Sequence, residues 1–186
     1  MRGIDMIKKN TLYFRLMKPS YFNDYKSLDE FQEDHLRGHG IMILDVDDLL
    51  VAIPLRSGIP AYMKQAKHIF FYEIYIKENK KECLKALDFS KLTIIEEKYL
   101  DDTRPYIFKD EKEKQFYLNN FNRIYSRVNS YVSSYKKICK NIEEGKAITS
   151  YTLKPYRYST LRNFHKELNI KISKEDFTTE LDKIFK

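Results

Sequence analysis

A regular spacing of apolar side chains between residues 110 and 144 restricts the fold of this chain more than any other feature. These side chains recur at steps of three and four residues: Tyr117, Phe121, Ile124, Val128, Tyr131, Tyr135, Ile138 and Ile142. This spacing places them along one side of a helix. Asp110 and Glu113 are typical of a helix start, and Gly145 is typical of a helix end. We interpret the stripe as part of the core rather than as a binding surface.

Strand patterns fill the first half of the chain. Residues 41–44 and 49–55 are nearly all apolar, which is typical of strands buried on both faces. The turn at 45–48 joins them as a hairpin. We interpret the second strand as ending near Pro54. Further strands are predicted over residues 11–16, 68–74 and 92–95.

Helix-start signals mark further elements. Ser27-Leu28-Asp29-Glu30 matches a capping box, which predicts a short helix over about 28–34. Ser159 and Thr160 precede another short helix, and Ser173 precedes the last one. Because strands come first and helices follow, the pattern predicts one α+β domain over residues 1–186.

The composition argues against several classes of protein. No apolar run reaches the length of about 18 residues that a membrane-spanning helix needs, and residues 1–10 lack the apolar segment of a signal peptide. Cys83 and Cys139 are far apart, and the four histidines form no metal-binding spacing. We therefore expect a cytoplasmic protein with reduced cysteines, no membrane contact, no metal and no cofactor.

The distribution of charge favours a polyanionic partner. The net charge is +7, and two stretches, 49–69 and 146–166, contain no acidic residue. The second stretch interleaves basic residues with Tyr151, Tyr156 and Tyr158, whose rings are flat surfaces on which bases can stack. We expect a positive face that binds RNA; the alternative is a solvated, lysine-rich surface.

Cationic and hydroxyl side chains gather around the predicted hairpin and suit RNA cleavage without a metal. In that reaction the RNA 2′-hydroxyl attacks the neighbouring phosphate, so the protein must move protons and stabilise a more negative phosphorane. Because the hairpin returns the chain to its starting side, we expect Arg37 and His39 to lie near Arg56 and Ser57. The alternative is that Arg56 and Ser57 cap a turn and that Arg37 pairs with Glu33.

The stretch RGHGIMILDVDDLLVAIPLRSGIP, residues 37–60, resembles the two-strand signature of the ToxN/AbiQ superfamily of type III toxin endoribonucleases. In that family a basic residue precedes a strand that begins with glycine, and a second strand leads into Pro-Leu and two hydroxyl-bearing residues. The segments LDFSKLTII at 87–95 and YRYSTLRNFHKELNI at 156–170, together with the long helix, are similar to the TenpN-like branch. The resemblance extends over most of the chain.

The resemblance implies a twisted antiparallel sheet, related to the Kid/MazF toxin barrel and flanked by helices. It implies a metal-independent endoribonuclease that leaves a 2′,3′-cyclic phosphate and a 5′-hydroxyl. It also implies a partner: a repeat-derived RNA antitoxin, which the toxin processes and holds as a pseudoknot in a closed ring of protein and RNA. The substrates would be cellular or phage RNA, and such systems abort phage infection in bacteria.

The motif carries over to this chain in part. Ser57 matches the second hydroxyl position of the family, whereas the first is Arg56 here. Arg37 falls near the upstream lysine of the family's catalytic region. Ile59 replaces a lysine that ToxN has, so Lys64 or Lys67 would have to substitute for it. His35 or His39 would replace an upstream tyrosine.

An RNA-cleaving toxin is the leading hypothesis from the sequence. Arg37, Arg56 and Ser57 would bind the scissile phosphate, and His39 or Lys64 would move protons. The candidate RNA-binding residues are Lys67, His68, Lys154, Tyr156, Arg157 and Arg162. One alternative is a non-catalytic RNA-binding α+β module that uses the same positive face. A weaker alternative is a structural or protein-binding domain whose charges keep it soluble.

Overall fold

The computed structural model describes residues 12–31 and 40–185 of the chain. The strands within these ranges are β1 (Tyr13–Met17), β2 (Ile41–Val46), β3 (Leu49–Pro60), β4 (Ile69–Ile76), β5 (Glu82–Asp88), β6 (Thr93–Ile95) and β7 (Leu100–Pro105). The α-helices are α1 (Pro19–Tyr25), α2 (Glu111–Asn119), α3 (Phe121–Glu143), α4 (Ser150–Leu153) and α5 (Lys174–Phe185). No helix in these two ranges is both long and apolar enough to cross a membrane.

The strands form a single antiparallel sheet in the order β4-β5-β3-β2-β1-β7, and β6 pairs with β3 outside this order. β3 is central because its first half pairs with β2 and β6, whereas its second half pairs with β5. The predicted α+β class, with an antiparallel sheet flanked by helices and a long helix in the second half, is confirmed. The relation to the Kid/MazF barrel stays a prediction.

Alternation of side chains gives the sheet two buried faces. On the first, called the α3 face, Met42, Leu44, Ile53, Leu55 and Leu87 share a core with α2 and α3. The helical stripe fills the other side of this core with Tyr117, Ile124, Val128, Tyr135 and Ile138.

The opposite surface of the sheet, called the α1 face, has two smaller clusters. Ile41, Ile43 and Ala52 pack with Tyr21 of α1. Ile59, Ile69, Leu84 and Ala86 pack against the 3-10 turn Ala61–Gln65. The sheet is therefore covered on both faces, which explains the near-continuous apolar runs in β2 and β3.

The interpretation that the second strand ends near Pro54 is wrong, because β3 continues to Pro60. Proline lacks an N–H and is tolerated where the ladder does not need one. Pro54 lies at such a junction: β6 pairs only as far as Ala52, and β5 begins to pair at Leu55. Arg56 and Ser57 are consequently strand residues rather than turn caps.

The predicted helix over 110–144 is present as two helices that meet at Asn120. The Asn120 side chain donates to the carbonyl of Phe116 at 2.8 Å, and its backbone is not helical. At the start of α2, Asp110 accepts a hydrogen bond from the Lys112 amide at 2.9 Å. Gly145 follows α3 with a φ of +65°, which confirms the predicted end.

Other predicted elements differ from the structure. The described part of the predicted helix over about 28–34 is a turn, and Glu30 has a φ of +62°, which no right-handed helix allows. Residues 32–34 of that helix lie outside the described residues. α1, β5 and β7 were not predicted. The predicted final helix is α5. The Ser173 hydroxyl caps its start by accepting a hydrogen bond from the Asp176 amide at 3.0 Å.

His165 is a core histidine with both ring nitrogens in use. Its Nδ1–H donates to the carbonyl of Ile172 at 2.9 Å, so Nε2 accepts from the Tyr135 hydroxyl at 2.6 Å. Burial lowers the pKa of His165. Protonation of Nε2 would remove the acceptor of the Tyr135 hydroxyl and place a charge in the core, so burial favours the neutral ring in the folded state.

We expect the free energy of unfolding to decrease as the pH falls below about 6.5, the ordinary pKa of histidine. The folded-state pKa of His165 is lowered, so the unfolded chain takes up the proton first and is favoured by acid. Urea unfolding at about pH 7.5 and about pH 5.5 measures this. His165→Gln should reduce the difference between the two values, while an unchanged difference would contradict the assignment.

Candidate active site on the sheet

Arg56 and Ser57 project from opposite faces of the sheet. Arg56 pairs with Ala86 of β5, and Ser57 pairs with Lys85. Neighbouring residues of a strand alternate between faces, so Arg56 shares the α1 face with Ala86, while Ser57 shares the α3 face with Lys85. The prediction that Arg56 and Ser57 together line one phosphate pocket is therefore wrong.

Arg56 neutralises a buried carboxylate. Its Nη1 forms an ion pair with Oδ2 of Asp88, and the Arg56 side chain is 26% exposed while that of Asp88 is 4% exposed. The second carboxylate oxygen of Asp88 accepts from the Ser90 amide at 3.0 Å and from the Ser90 hydroxyl at 2.6 Å. This network fixes the end of β5 and accounts for Arg56 in structural terms.

Lys64 and His68 also lie away from Ser57. The Lys64 ammonium is 5.0 Å from the ring centroid of Phe71, a residue that packs in the α1-face cluster. Lys64 therefore lies on the α1 face, opposite to Ser57, and its predicted role in proton transfer stays a prediction. Burial lowers the pKa of His68, and its Nδ1 is buried without a partner in the described chain. Arg37 and His39, as well as His35, lie outside the described residues.

A β-bulge at Gly58 shapes the surface around Ser57. Ser57 pairs with Lys85 and Ile59 with Leu84, so Gly58 is the extra residue, and its φ is +85°. A Cβ at Gly58 would lie 2.6 Å from the Lys77 ammonium. The backbone conformation thus favours glycine at this position, and the Lys77 ammonium lies close to it.

Charged side chains surround the exposed Ser57 on the α3 face. Lys85, its cross-strand neighbour, forms an ion pair with Glu73, and both side chains are more than a third exposed. Ser57, Lys85 and Lys77 supply a hydroxyl and two ammonium groups, which are donors that suit phosphate oxygens.

Glu113 is the carboxylate with the most unusual environment near this surface. Burial is the main cause that raises its pKa; Lys85 opposes this effect, and the negative charges of Glu73 and Asp110 add smaller increases. Glu113 forms no ion pair within the described ranges. A half-buried carboxylate with a raised pKa is a candidate general base.

Tyrosines enclose the same region. The Tyr72 hydroxyl donates to Asp110 at 2.9 Å and ties β4 to the start of α2. The ring of Tyr106 lies against Gly40, where a Cβ would be 2.4 Å from it. The Tyr117 hydroxyl is buried without a partner in the described chain, and Glu113 and Tyr106 are among the groups that act on it electrostatically.

Sequence reasoning missed Lys85, Lys77, Glu113 and Tyr106 as site residues. β5, which supplies Lys85, was itself missed because its apolar residues follow a lysine-rich stretch. Glu113 was interpreted only as part of a helix start. A prediction of β5 and of its pairing with β3 would have been the signal that placed Lys85 beside Ser57.

The second basic stretch is only partly a surface. Lys154 and Arg157 are exposed, and the Arg157 guanidinium lies 5.2 Å and 5.0 Å from the ring centroids of Tyr158 and Phe185. Lys67 is exposed on the other acid-free stretch, with its ammonium 5.5 Å from the centroid of Tyr151. These cations remain candidates for RNA binding.

Tyr156 and Arg162 are core residues rather than the exposed side chains that the sequence predicts. Tyr156 is 4% exposed, stacks on Tyr131 at 4.7 Å, and donates to the carbonyl of Tyr131 at 2.9 Å. Arg162 is 8% exposed and donates from Nε to the carbonyl of Ser159 at 3.2 Å. Backbone carbonyls thus satisfy the hydroxyl of Tyr156 and the guanidinium of Arg162 inside the protein.

The described residues contain no group of three or more His, Cys, Asp or Glu side chains that could hold a metal ion. Cys83 and Cys139 are both buried and unpaired, and burial raises the pKa of the Cys139 thiol to about 12.

No protein-family model and no curated protein matches the chain. The chain is similar to one in the solved structure "A processed non-coding RNA regulates a bacterial antiviral system", with a TM-score of 0.45 and 15% sequence identity. The match covers 78% of this chain and 97% of that chain. At this identity, the similarity assigns no function and no site residue.

We expect Arg56→Ala to lower the free energy of unfolding by about 2 kcal/mol, because it leaves the buried carboxylate of Asp88 without its cation. Urea unfolding measures the loss, and the exposed Lys64→Ala serves as the control, with an expected change of about 0.5 kcal/mol or less. Asp88→Asn in the Arg56→Ala background should recover part of the loss. Equal stability of the two single variants would contradict the structural role of Arg56.

Proposed function

We propose that the protein is a metal-independent endoribonuclease, the toxin of a type III toxin-antitoxin system. The observation that carries the proposal is the position of Ser57. The one residue that matches the family's hydroxyl motif lies exposed on the sheet, beside Lys85 and near Lys77, and Lys85 in turn acts electrostatically on Glu113 of α2. The cleavage would leave a 2′,3′-cyclic phosphate on one fragment and a 5′-hydroxyl on the other.

Each step of this reaction has a candidate group. The Glu113 carboxylate takes the proton from the RNA 2′-hydroxyl, whose oxygen then attacks the phosphorus. Ser57 and Lys85 donate to the non-bridging oxygens, where negative charge develops. The bond from phosphorus to the 5′-oxygen breaks, and this oxygen receives a proton.

Arg37 and His39 are the remaining members of the proposed site, and both come from the sequence hypothesis. His39 directly precedes Gly40, whose carbonyl accepts from the Leu55 amide at 2.9 Å, two residues before Ser57. Arg37 is proposed to pair with the scissile phosphate, and His39 to protonate the leaving 5′-oxygen. With Lys64 on the α1 face, His39 is the candidate acid that remains from the sequence hypothesis.

The proposed partner is the repeat-derived RNA antitoxin that the sequence resemblance implies, held as a pseudoknot in a closed ring of protein and RNA. The net charge of +7 and the exposed cations Lys67, Lys154 and Arg157 are consistent with such a polyanionic partner. The proposed setting is the bacterial cytoplasm, where the free toxin would cut cellular or phage RNA and abort infection.

A non-catalytic RNA-binding module is the second candidate function. It is favoured by the location of Lys67, Lys154 and Arg157, which belong to segments other than the one that holds Ser57 and can bind RNA without it. This candidate predicts salt-sensitive binding of RNA with no 2′,3′-cyclic phosphate among the products.

We expect Glu113→Gln to reduce the rate of RNA cleavage by about 100-fold to 10,000-fold, because the amide cannot accept the 2′-hydroxyl proton. Glu111→Gln, at an exposed position of the same helix, is the matched control and should cut at the wild-type rate. Ser57→Ala should cut about 100-fold more slowly through loss of one donor to the phosphorane. Product analysis should find cyclic phosphate ends. Equal rates for Glu113→Gln and Glu111→Gln would remove Glu113 from the mechanism.

The pH dependence of cleavage should report the raised pKa of Glu113. Because the base must be ionised and the general acid protonated, the rate should increase with pH through this pKa and decrease again at higher pH, where the general acid has lost its proton. The acidic limb should disappear in Glu113→Gln. Since burial makes the ionised form costly, Glu113→Gln should unfold at the same temperature as the wild type or higher. A less stable variant would attribute the loss of activity to folding.

A further inference from the structure

A pocket of about 190 Å³ lies against α3, apart from Ser57. It is lined by Lys67, Arg127, Ser130, Ser134, Pro155 and Tyr156. Arg127, Ser130 and Ser134 follow one another at helical spacing and therefore lie on one side of α3. The lining also includes Tyr131; it thus combines two cations with two serine hydroxyls and two tyrosines, and contains no acidic residue.

Arg127 is held in place by neutral groups. Its Nη2 donates to the carbonyls of Lys67 at 2.8 Å and Ile69 at 3.0 Å, and its guanidinium lies 5.4 Å from the ring centroid of Phe70. No carboxylate of residues 12–31 or 40–185 forms an ion pair with it. Burial lowers the pKa of Arg127, because removing the charged guanidinium from water is unfavourable. An anion bound here would offset this desolvation penalty.

Lys67 and Tyr151 extend the pocket to the surface. The Lys67 ammonium is exposed, lies 5.5 Å from the centroid of Tyr151, and forms no ion pair in the described part of the chain. Tyr151 is 74% exposed, so one face of its ring can receive a base. The pocket is smaller than the range of about 300–1,000 Å³ that holds whole small-molecule ligands, and its size suits one phosphate group with part of a sugar.

We propose that this pocket binds a backbone phosphate of single-stranded RNA, held by Arg127 and Lys67, while Tyr151 stacks on the adjacent base. The proposal deepens the proposed function and rests on it in taking RNA as the ligand. It adds an RNA-binding position at some distance from the scissile phosphate. Arg127 is the residue that sequence reasoning omitted, because it belongs to the helix that was interpreted as core.

The test is binding of a single-stranded 12-nucleotide RNA whose 2′-hydroxyls are all methylated, so that it cannot be cut. Lys67→Glu and Ser130→Glu should each weaken binding by about 10-fold or more, because each adds a negative charge at the pocket. Lys140→Glu is the matched control for Lys67→Glu: it makes the same Lys-to-Glu change, which is larger than the change in Ser130→Glu, at an exposed position of α3 about 20 Å from Arg127 along the helix. It should weaken binding by about 3-fold or less.

Two further readouts separate a phosphate contact from a general change in charge. Lys67→Ala should reduce the slope of log affinity against log salt concentration by about 0.7, the value for one contact to single-stranded nucleic acid. Tyr151→Ala should weaken binding, whereas Tyr151→Phe should not, since stacking needs only the ring.

Equal weakening by Lys67→Glu, Ser130→Glu and Lys140→Glu would refute RNA binding at the pocket. The same conclusion would follow if Lys67→Glu and Ser130→Glu weakened the binding of double-stranded RNA but not of single-stranded RNA. A wild-type protein that binds no RNA at low salt would overturn it too. A wild-type protein that binds the methylated RNA at the pocket but cuts no unmodified RNA would refute the proposed function and leave the pocket standing.

Discussion

Strand β3 is the element on which the rest of the structure depends. Its two halves pair with different neighbours, and its alternation of side chains assigns every residue to one face or the other. Arg56 therefore turns to Asp88 on the α1 face, whereas Ser57 turns to Lys85 on the α3 face. The regular register ends at the bulge at Gly58, and the Lys77 ammonium lies close to this residue.

Glu113 and Arg127 are partly buried charges that have no ion-pair partner among residues 12–31 and 40–185. By contrast, the buried carboxylate of Asp88 is neutralised by Arg56, so this cation stabilises the fold. Glu113 has no cation of its own in the described chain and has a raised pKa, and Arg127 has no anion of its own there and has a lowered pKa. Uncompensated charges of this kind are costly and concentrate at functional sites, which is why the two proposals rest on them.

Much of the architecture was predictable because it follows from the local spacing of apolar side chains along the chain. The three- and four-residue steps of Tyr117, Ile124 and Val128 predicted a buried helical stripe, and the structure buries all three. β5 could not be recognised in the same way, since its apolar residues adjoin a lysine-rich segment. Tyr156 and Arg162 were predicted on the surface because they belong to an acid-free basic stretch with interleaved tyrosines, yet backbone carbonyls satisfy both inside the protein.

By itself, the sequence determined the α+β class, the β2–β3 hairpin and the long helical stripe, and it suggested the segment around Ser57 as a candidate site. Periodicity and turn residues act over a few positions, so they can be read without knowing the fold. Only the tertiary structure decided which side chains meet Ser57, and that Arg56 is not among them. That decision depends on strand register and on contacts between segments distant in the chain, because a shift of one residue in β3 or β5 would exchange their two faces.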